Sequence, residues 1–221
     1  MNDNLRIKAL YDCRTPYLIK YFSLFEYPWE ILPQIKNIIS DISAELGEDY
    51  KEISKGIFVG KNVMISDKAT IEGPAIIGEG TVIRPGAYIR ASVITGRKCV
   101  LGNSSEFKNC ILLDRVQAPH FNYVGDSILG NHTHLGAGAI CSNLKSSGDS
   151  VVIHASTDID TGQRKLGAIL GDFADIGSNC VLNPGTVVGK RTTVYPLTSL
   201  RGVVGENIIV KSRDVMVIKE A

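Results

Sequence analysis

Long apolar runs are missing from this sequence. No stretch approaches the ~20 residues that span a bilayer, so no membrane segment is expected. Charge of one sign is not in excess either: 24 Lys and Arg face 23 Asp and Glu, for a formal net charge of +1. That balance gives no global electrostatic reason to bind nucleic acid or an anionic membrane. Paired cysteines are absent too. Cys13, Cys99, Cys110, Cys141 and Cys180 are never closer than eleven positions, which excludes a CxxC metal or redox pair. No basic segment with an apolar stretch behind it opens the chain, so free thiols in a reducing, cytoplasmic setting are expected. The sequence has no GxxxxGK[ST] phosphate loop, no dinucleotide-binding glycine fingerprint after a strand and no GxSxG elbow. Hydrophobic residues make up 44% and charged residues 21%, the composition of a soluble globular protein.

What is there divides into two regions. Residues 1–55 read as a helical N-terminal cap. Ile35, Ile38, Ile39, Ile42 and Leu46 recur at helical spacing, with Pro33 suited to the first turn and Gly47 to the stop. The aromatic-rich stretch from Tyr17 to Phe25 predicts a second short helix.

Residues 56–221 follow a different period. Val59, Ile65, Ile71, Ile77, Ile83 and Ile89 lie six apart; Leu101, Phe107 and Leu113 continue the series, with Thr95 as a polar interruption. Leu170, Ile176, Leu182, Val188, Val194 and Leu200 repeat it. A small or medium residue stands two positions before most of these aliphatics, as at Ala69, Ala75, Ala87, Ala168, Ala174 and Cys180. Six fits neither an α-helix nor one long strand. It fits short strands that each end at a corner, with one aliphatic per side pointing inward and coils stacking their aliphatics into ladders. An all-β parallel β-helix is predicted, interrupted by a polar loop at about 142–165, an excursion long enough to suggest a functional loop.

Reactive side chains concentrate beside that interruption. Three of the four histidines, His120, His132 and His134, fall within fifteen residues. Imidazole suits zinc, but neither carboxylates nor thiolates accompany the trio at ligand spacing. The alternative is one histidine acting as a general base, with Arg84, Lys108 and Lys165 available to hold an anionic substrate.

The segments Ile83-Arg84-Pro85-Gly86, Gly102-Asn103-Ser104-Ser105-Glu106-Phe107-Lys108, Pro119-His120-Phe121-Asn122-Tyr123-Val124-Gly125-Asp126 and Leu135-Gly136-Ala137-Gly138 resemble a known enzyme family. It comprises the acetyltransferase domain of the bifunctional N-acetylglucosamine-1-phosphate uridyltransferase/glucosamine-1-phosphate acetyltransferase. Arg164-Lys165-Leu166-Gly167-Ala168 is similar to the archaeal sugar-1-phosphate nucleotidyltransferase/acetyltransferase form. The resemblance covers roughly residues 57–205. It implies a left-handed parallel β-helix and a homotrimer with active sites between subunits. It also implies an acyltransferase that moves an acetyl group from acetyl-CoA, as cosubstrate, to the amine of an amino-sugar phosphate, with no metal required. Carried over by motif, His120 is the general base. Arg84, Lys108 and Lys165 hold the sugar phosphate, Tyr123, His134 and Asn143 contact the sugar, and Ala137 and Ser178 line the acetyl-CoA groove. His134 stands where the bacterial family has asparagine and Leu144 where it has tyrosine, which leaves the acceptor sugar open. Residues 1–55 are too short for the family's nucleotidyltransferase domain and lack its glycine-rich loop, so nucleotidyl transfer is not expected. A non-catalytic sugar-nucleotide binding module and a γ-carbonic-anhydrase-like metalloenzyme are the competing readings.

Overall fold

The computed structural model describes residues 2–212 and 215–218, so part of the expected 56–221 region (213–214 and 219–221) lies outside the described residues. From Ile57 the chain winds into coils of three short strands. One coil uses Ala75–Ile77, Val82–Ile83 and Tyr88–Arg90, and the next begins at Val93–Thr95 directly above the first strand. Every third strand therefore pairs in parallel, and the described residues form two nine-stranded sheets and one seven-stranded sheet. We call them the first, second and third sheets in the order that a coil visits them. Two antiparallel strands, Tyr50–Ser54 and Val215–Ile218, close the ends of the stack. The architecture is the expected left-handed parallel β-helix.

The inward ladders are those the six-residue period picks out, with two corrections. The first is Ile65, which is exposed on the first coil, where no coil stacks below it. Ile77, Ile83, Ile89, Leu101, Phe107, Leu129, Leu135, Leu170, Ile176 and Leu182 are all fully or almost fully buried in one continuous core. Thr95 shares the ladder because its hydroxyl accepts the Gly78 N–H at 2.9 Å, so the polar atom is satisfied inside. Leu113, however, does not continue the series. Leu112 lies opposite Thr95 and Leu129, and the step from Thr95 to Leu112 is seventeen positions. A strand shifted by one residue exchanges its faces, and here Leu113 packs in the outer core instead.

That second core lies outside the first sheet. Ile76, Ile94, Ile111, Ile128, Ile169 and Val187 point away from the solenoid interior and are covered by the N-terminal helices. The helices are α1 (Ile7–Leu10), α2 (Pro16–Leu24) and α3 (Ile35–Glu45). Pro33 sits in a 3-10 turn, Leu32–Gln34, that leads into α3, and the helix stops two residues before Gly47. α3 presents Ile35, Ile38, Ile39 and Ile42 to this core, which explains its apolar stripe. The excursion at 142–165 packs here too. It carries an antiparallel hairpin, Val152–Ile153 with Ile159–Asp160, and buries Val151 and Ile153. Gln163 Nε2 donates to the Trp29 carbonyl at 2.6 Å, which ties the excursion to the N-terminal helices.

All five thiols are unpaired. Burial pushes Cys99 and Cys141 up to about 12, so they stay neutral members of the core. Asp114 behaves in the opposite way. Half-burial works against its charge, but the Arg97 guanidinium and N–H and the Thr15 hydroxyl outweigh that and hold it below the usual carboxylate range. A folded-state pKa below the unfolded one contributes stability that is fully present above about pH 4 and is lost as pH falls through the folded value. Urea midpoints measured between about pH 5 and pH 2 should therefore fall less steeply for Asp114→Asn than for the parent protein. Equal slopes would show that this carboxylate does not couple folding to protons.

Candidate functional site

The corner between the second and third sheets positions His120. This residue ends the strand Gln117–His120 opposite Asn103 and is exposed. Its backbone is held from both sides: the His120 N–H donates to Asn122 Oδ1 at 3.1 Å, and its carbonyl accepts the Gly138 N–H at 3.0 Å. Asn122 is buried, takes the Ser105 hydroxyl as partner for its own N–H, and donates from Nδ2 to the Gly136 carbonyl at 2.8 Å. It occupies the register position that Ser105 holds on the coil before and Ala139 on the coil after. A polar side chain there fixes the backbone on which the imidazole stands. Removing it leaves buried donors and acceptors unpaired. Asn122→Ala should lower unfolding stability by about 1–3 kcal/mol, and unchanged denaturation midpoints would remove its positioning role.

The next coils continue the same column with small residues. The Gly138 N–H reaches the His120 carbonyl and the Asn179 N–H reaches the Ala137 carbonyl, so His120, Ala137 and Ser178 lie one above another on successive coils. Ala137 and Ser178 are half-buried. An imidazole followed by two short side chains makes one column up the corner, about 4.8 Å per coil.

A second group stands at the far end of the third sheet. Tyr123 lies three positions beyond His120, and its hydroxyl accepts from Asn143 Nδ2 at 3.2 Å. The same Nδ2 donates to the buried carboxylate of Asp126, which also accepts from Asn109 Nδ2 at 2.8 Å and lies 4.0 Å from Lys108 Nζ. Burial, then the charge of Glu106, raises the Tyr123 phenol, which stays a neutral donor. Lys165 is exposed beside this group: its strand bridge to Leu144, and the Leu166 N–H on the Asn143 carbonyl at 3.0 Å, close the excursion against Asn143. The structure thus brings Lys108, Tyr123, Asn143 and Lys165 together. It adds Asp126, which motif reasoning quoted but assigned no role. Its signal was an acidic residue two positions beyond an inward aliphatic, where the preceding coil has Asn109. His120 ends the second-sheet strand just before Tyr123–Gly125, three residues ahead of Tyr123 across the corner.

Two predicted residues lie apart from both groups. Arg84 is half-buried at the end of Val82–Ile83, two coils before His120. His134 lies on the outer face of the second sheet between Gln117 and Asp175, with Nδ1 2.8 Å from Asp175 Oδ1. His132 stands at the corner between the first and second sheets, stacked on Phe173 at 4.8 Å. The three histidines considered as a metal site therefore occupy separate places, and no group of three His, Cys, Asp or Glu is poised for a metal among the described residues.

A family model described as the GMPPB C-terminal domain matches residues 71–163, which include the whole imidazole column up to Ala137 and the Lys108–Asn143 group. The "Bifunctional protein GlmU" of Methanococcus aeolicus is 28% identical over 217 residues, covering 90% of this chain and 49% of that protein. The chain is a relative of the GlmU-type bifunctional proteins. The "Bifunctional sugar-1-phosphate nucleotidylyltransferase/acetyltransferase" of Sulfurisphaera tokodaii is 32% identical over 184 residues, 76% of this chain and 43% of that protein. The chain spans about half the length of the curated relatives it matches. Among solved structures, the acetyltransferase domain of PglB from Neisseria gonorrhoeae in complex with acetyl coenzyme A aligns with a TM-score of 0.34 at 14% identity, covering 78% of this chain and 60% of that one. No helix among the described residues is long and apolar enough to cross a membrane.

Proposed function

We propose that the protein is an acetyl-CoA-dependent N-acetyltransferase acting on an amino-sugar phosphate, with His120 as general base. The observation that carries this reading is the column His120–Ala137–Ser178, an exposed imidazole at the foot of a row of short side chains. A pantetheine arm can lie along such a row, and the thioester it carries must meet a base. In the step itself His120 takes a proton from the sugar ammonium, and the amine nitrogen attacks the thioester carbonyl carbon. The new C–N bond forms, the C–S bond breaks, the thiolate leaves with the proton returned from the imidazolium, and the nitrogen's remaining excess proton passes to solvent to leave the neutral amide. Lys108, Lys165 and Arg84 clamp the phosphate, and Tyr123, Asn143 and His134 orient the sugar. Ala137 and Ser178 border the CoA arm. The chemistry calls for no metal.

Because these groups stand at opposite edges of the third sheet and on the second, a homotrimer that sets one protomer's sheet against its neighbour's corner would complete each site. The nomenclature of the GlmU-type and sugar-1-phosphate relatives supports the acyl acceptor class. Five unpaired thiols suit a cytoplasmic setting. The test is release of free CoA thiol from acetyl-CoA across a panel of amino-sugar phosphates, glucosamine-1-phosphate among them. Acceptor-dependent release with at least one member is expected. Sugar-phosphate binding with no CoA affinity and no release would replace the transferase with a binding module.

A further inference from the structure

The corner between the first and second sheets, on the other side of the solenoid from His120, carries a groove that the transfer reaction does not use. Its volume is about 450 Å³, within the range of small-molecule sites, and the segment Asp12–Arg14 forms its opposite rim. One ladder of backbone hydrogen bonds stacks Arg115, His132, Phe173 and Arg191 on successive coils. All four are in the left-handed region, at φ +62°, +58°, +63° and +57°. Gly80 and Asn207 hold the same conformation near the ends of this column, and Gly and Asn adopt it at the least cost. Lys98, Arg115, His132, Phe173 and Arg191 fill the positions between, each at the cost that a side chain adds to this conformation.

The side chains of His132, Phe173 and Arg191 form one stack. The His132 ring lies 4.8 Å from Phe173 at an interplanar angle of 13°, and the Arg191 guanidinium covers Phe173 with its carbon 4.8 Å from the ring centroid. Stacking holds the guanidinium plane while leaving its N–H edge free. The carboxylates of the groove are already committed. Asp12 pairs with Arg14 and Asp114 with Arg97, while Asp172 accepts the N–H groups of Asp12 and Asn131. Arg115, Lys190 and Arg191 have no carboxylate partner among the described residues. Arg115 and Arg191 are three coils apart, about 14 Å along the axis, so one diphosphate meets both only where the two long side chains reach toward each other. The rings of His132 and Phe173 between them offer apolar edges to a planar group.

We propose that this groove binds a nucleotide with at least two phosphates, a nucleoside diphosphate by size, through Arg115, Lys190 and Arg191. The cations hold the phosphate chain by charge-assisted hydrogen bonds, and the ring edges of His132 and Phe173 border the ribose and base. The site is independent of the acetyl transfer described above.

The test is calorimetric titration of the whole protein with ADP, adenosine and inorganic phosphate at low and at physiological salt. ADP should bind and weaken as salt rises, and adenosine and phosphate should bind at least about tenfold more weakly. Arg115→Asn and Arg191→Asn retain a residue suited to the left-handed conformation, so both should fold, as thermal midpoints will show. Each should weaken ADP by about tenfold or more, and Lys190→Ser should do the same. No ADP binding by the parent protein, equal binding of adenosine, or ADP affinity unchanged in all three variants would each overturn the proposal.

Discussion

Turnover of acetyl-CoA should fall by about 10²–10⁴-fold when His120 becomes alanine, the range that a positioned general base contributes. The loss should appear in kcat, with the KM for acetyl-CoA almost unchanged, because the ring acts on the acceptor's proton while Ala137 and Ser178 border the cosubstrate. The backbone at this position is fixed by Asn122 Oδ1 and the Gly138 N–H, neither of which needs the imidazole, so the variant should keep the parent's unfolding midpoint. A loss of rate with a retained midpoint is thus the signature of chemistry rather than of folding. Turnover that survives the substitution would remove His120 from the role of base.

Gly102→Ala should instead unfold the corner. A Cβ built on Gly102 would stand 1.8 Å from the Pro119 carbonyl oxygen and 2.2 Å from its Cα. Both are backbone atoms that cannot swing aside, so the coils must part. A cost above about 4 kcal/mol is expected, among the larger effects of single substitutions. Because Pro119 precedes His120, any protein that still folds should also lose activity. Gly205→Ala is the control: nothing lies within 4 Å of a Cβ there, and its denaturation midpoint should stay close to the parent's. Similar midpoints for the two variants would mean that the coils are less tightly stacked than this geometry requires.

The solenoid was legible because its signal repeats. Each inward aliphatic occupies the same place in a coil, so a dozen weak local preferences agree on one structure. Leu113 shows where that logic fails. One residue fewer between Thr95 and Leu112 preserves the ladder while breaking the count, and with Ile111, Leu112 and Leu113 all apolar the pattern cannot tell which faces inward. The flank on which the N-terminal helices lie had a signal too. Phe58, Ile76, Ile94, Ile111, Ile128, Ile169 and Val187 each precede an inward residue in an unbroken row on the first sheet, whereas the other sheets carry such residues only in places, as at Val82, Val100, Ile140 and Val181. A ladder apolar on both faces must be covered on the outside. The hairpin inside the excursion was not readable, since Val152–Ile153 and Ile159–Asp160 are too short for periodicity and are held by burial of Val151 and Ile153.

The candidate site was legible only through motif resemblance. Spacing alone places His120, His132 and His134 close in sequence, yet the fold sends them to a corner, another corner and a sheet face. Ala137 and Ser178 are chemically silent as letters. They acquire meaning only when the ladder stacks them over His120, across an interruption that no local rule bridges. Asn122 and Asp126 do their work through buried hydrogen bonds, which sequence composition does not reveal.

A crystal structure of the protein with acetyl-CoA bound tests the transferase reading most directly. The pantetheine arm should run along Ala137 and Ser178, with the thioester carbonyl carbon close enough to His120 for one acceptor amine to touch both. A cosubstrate seated elsewhere, or a thioester that no amine held by His120 could reach, would contradict it.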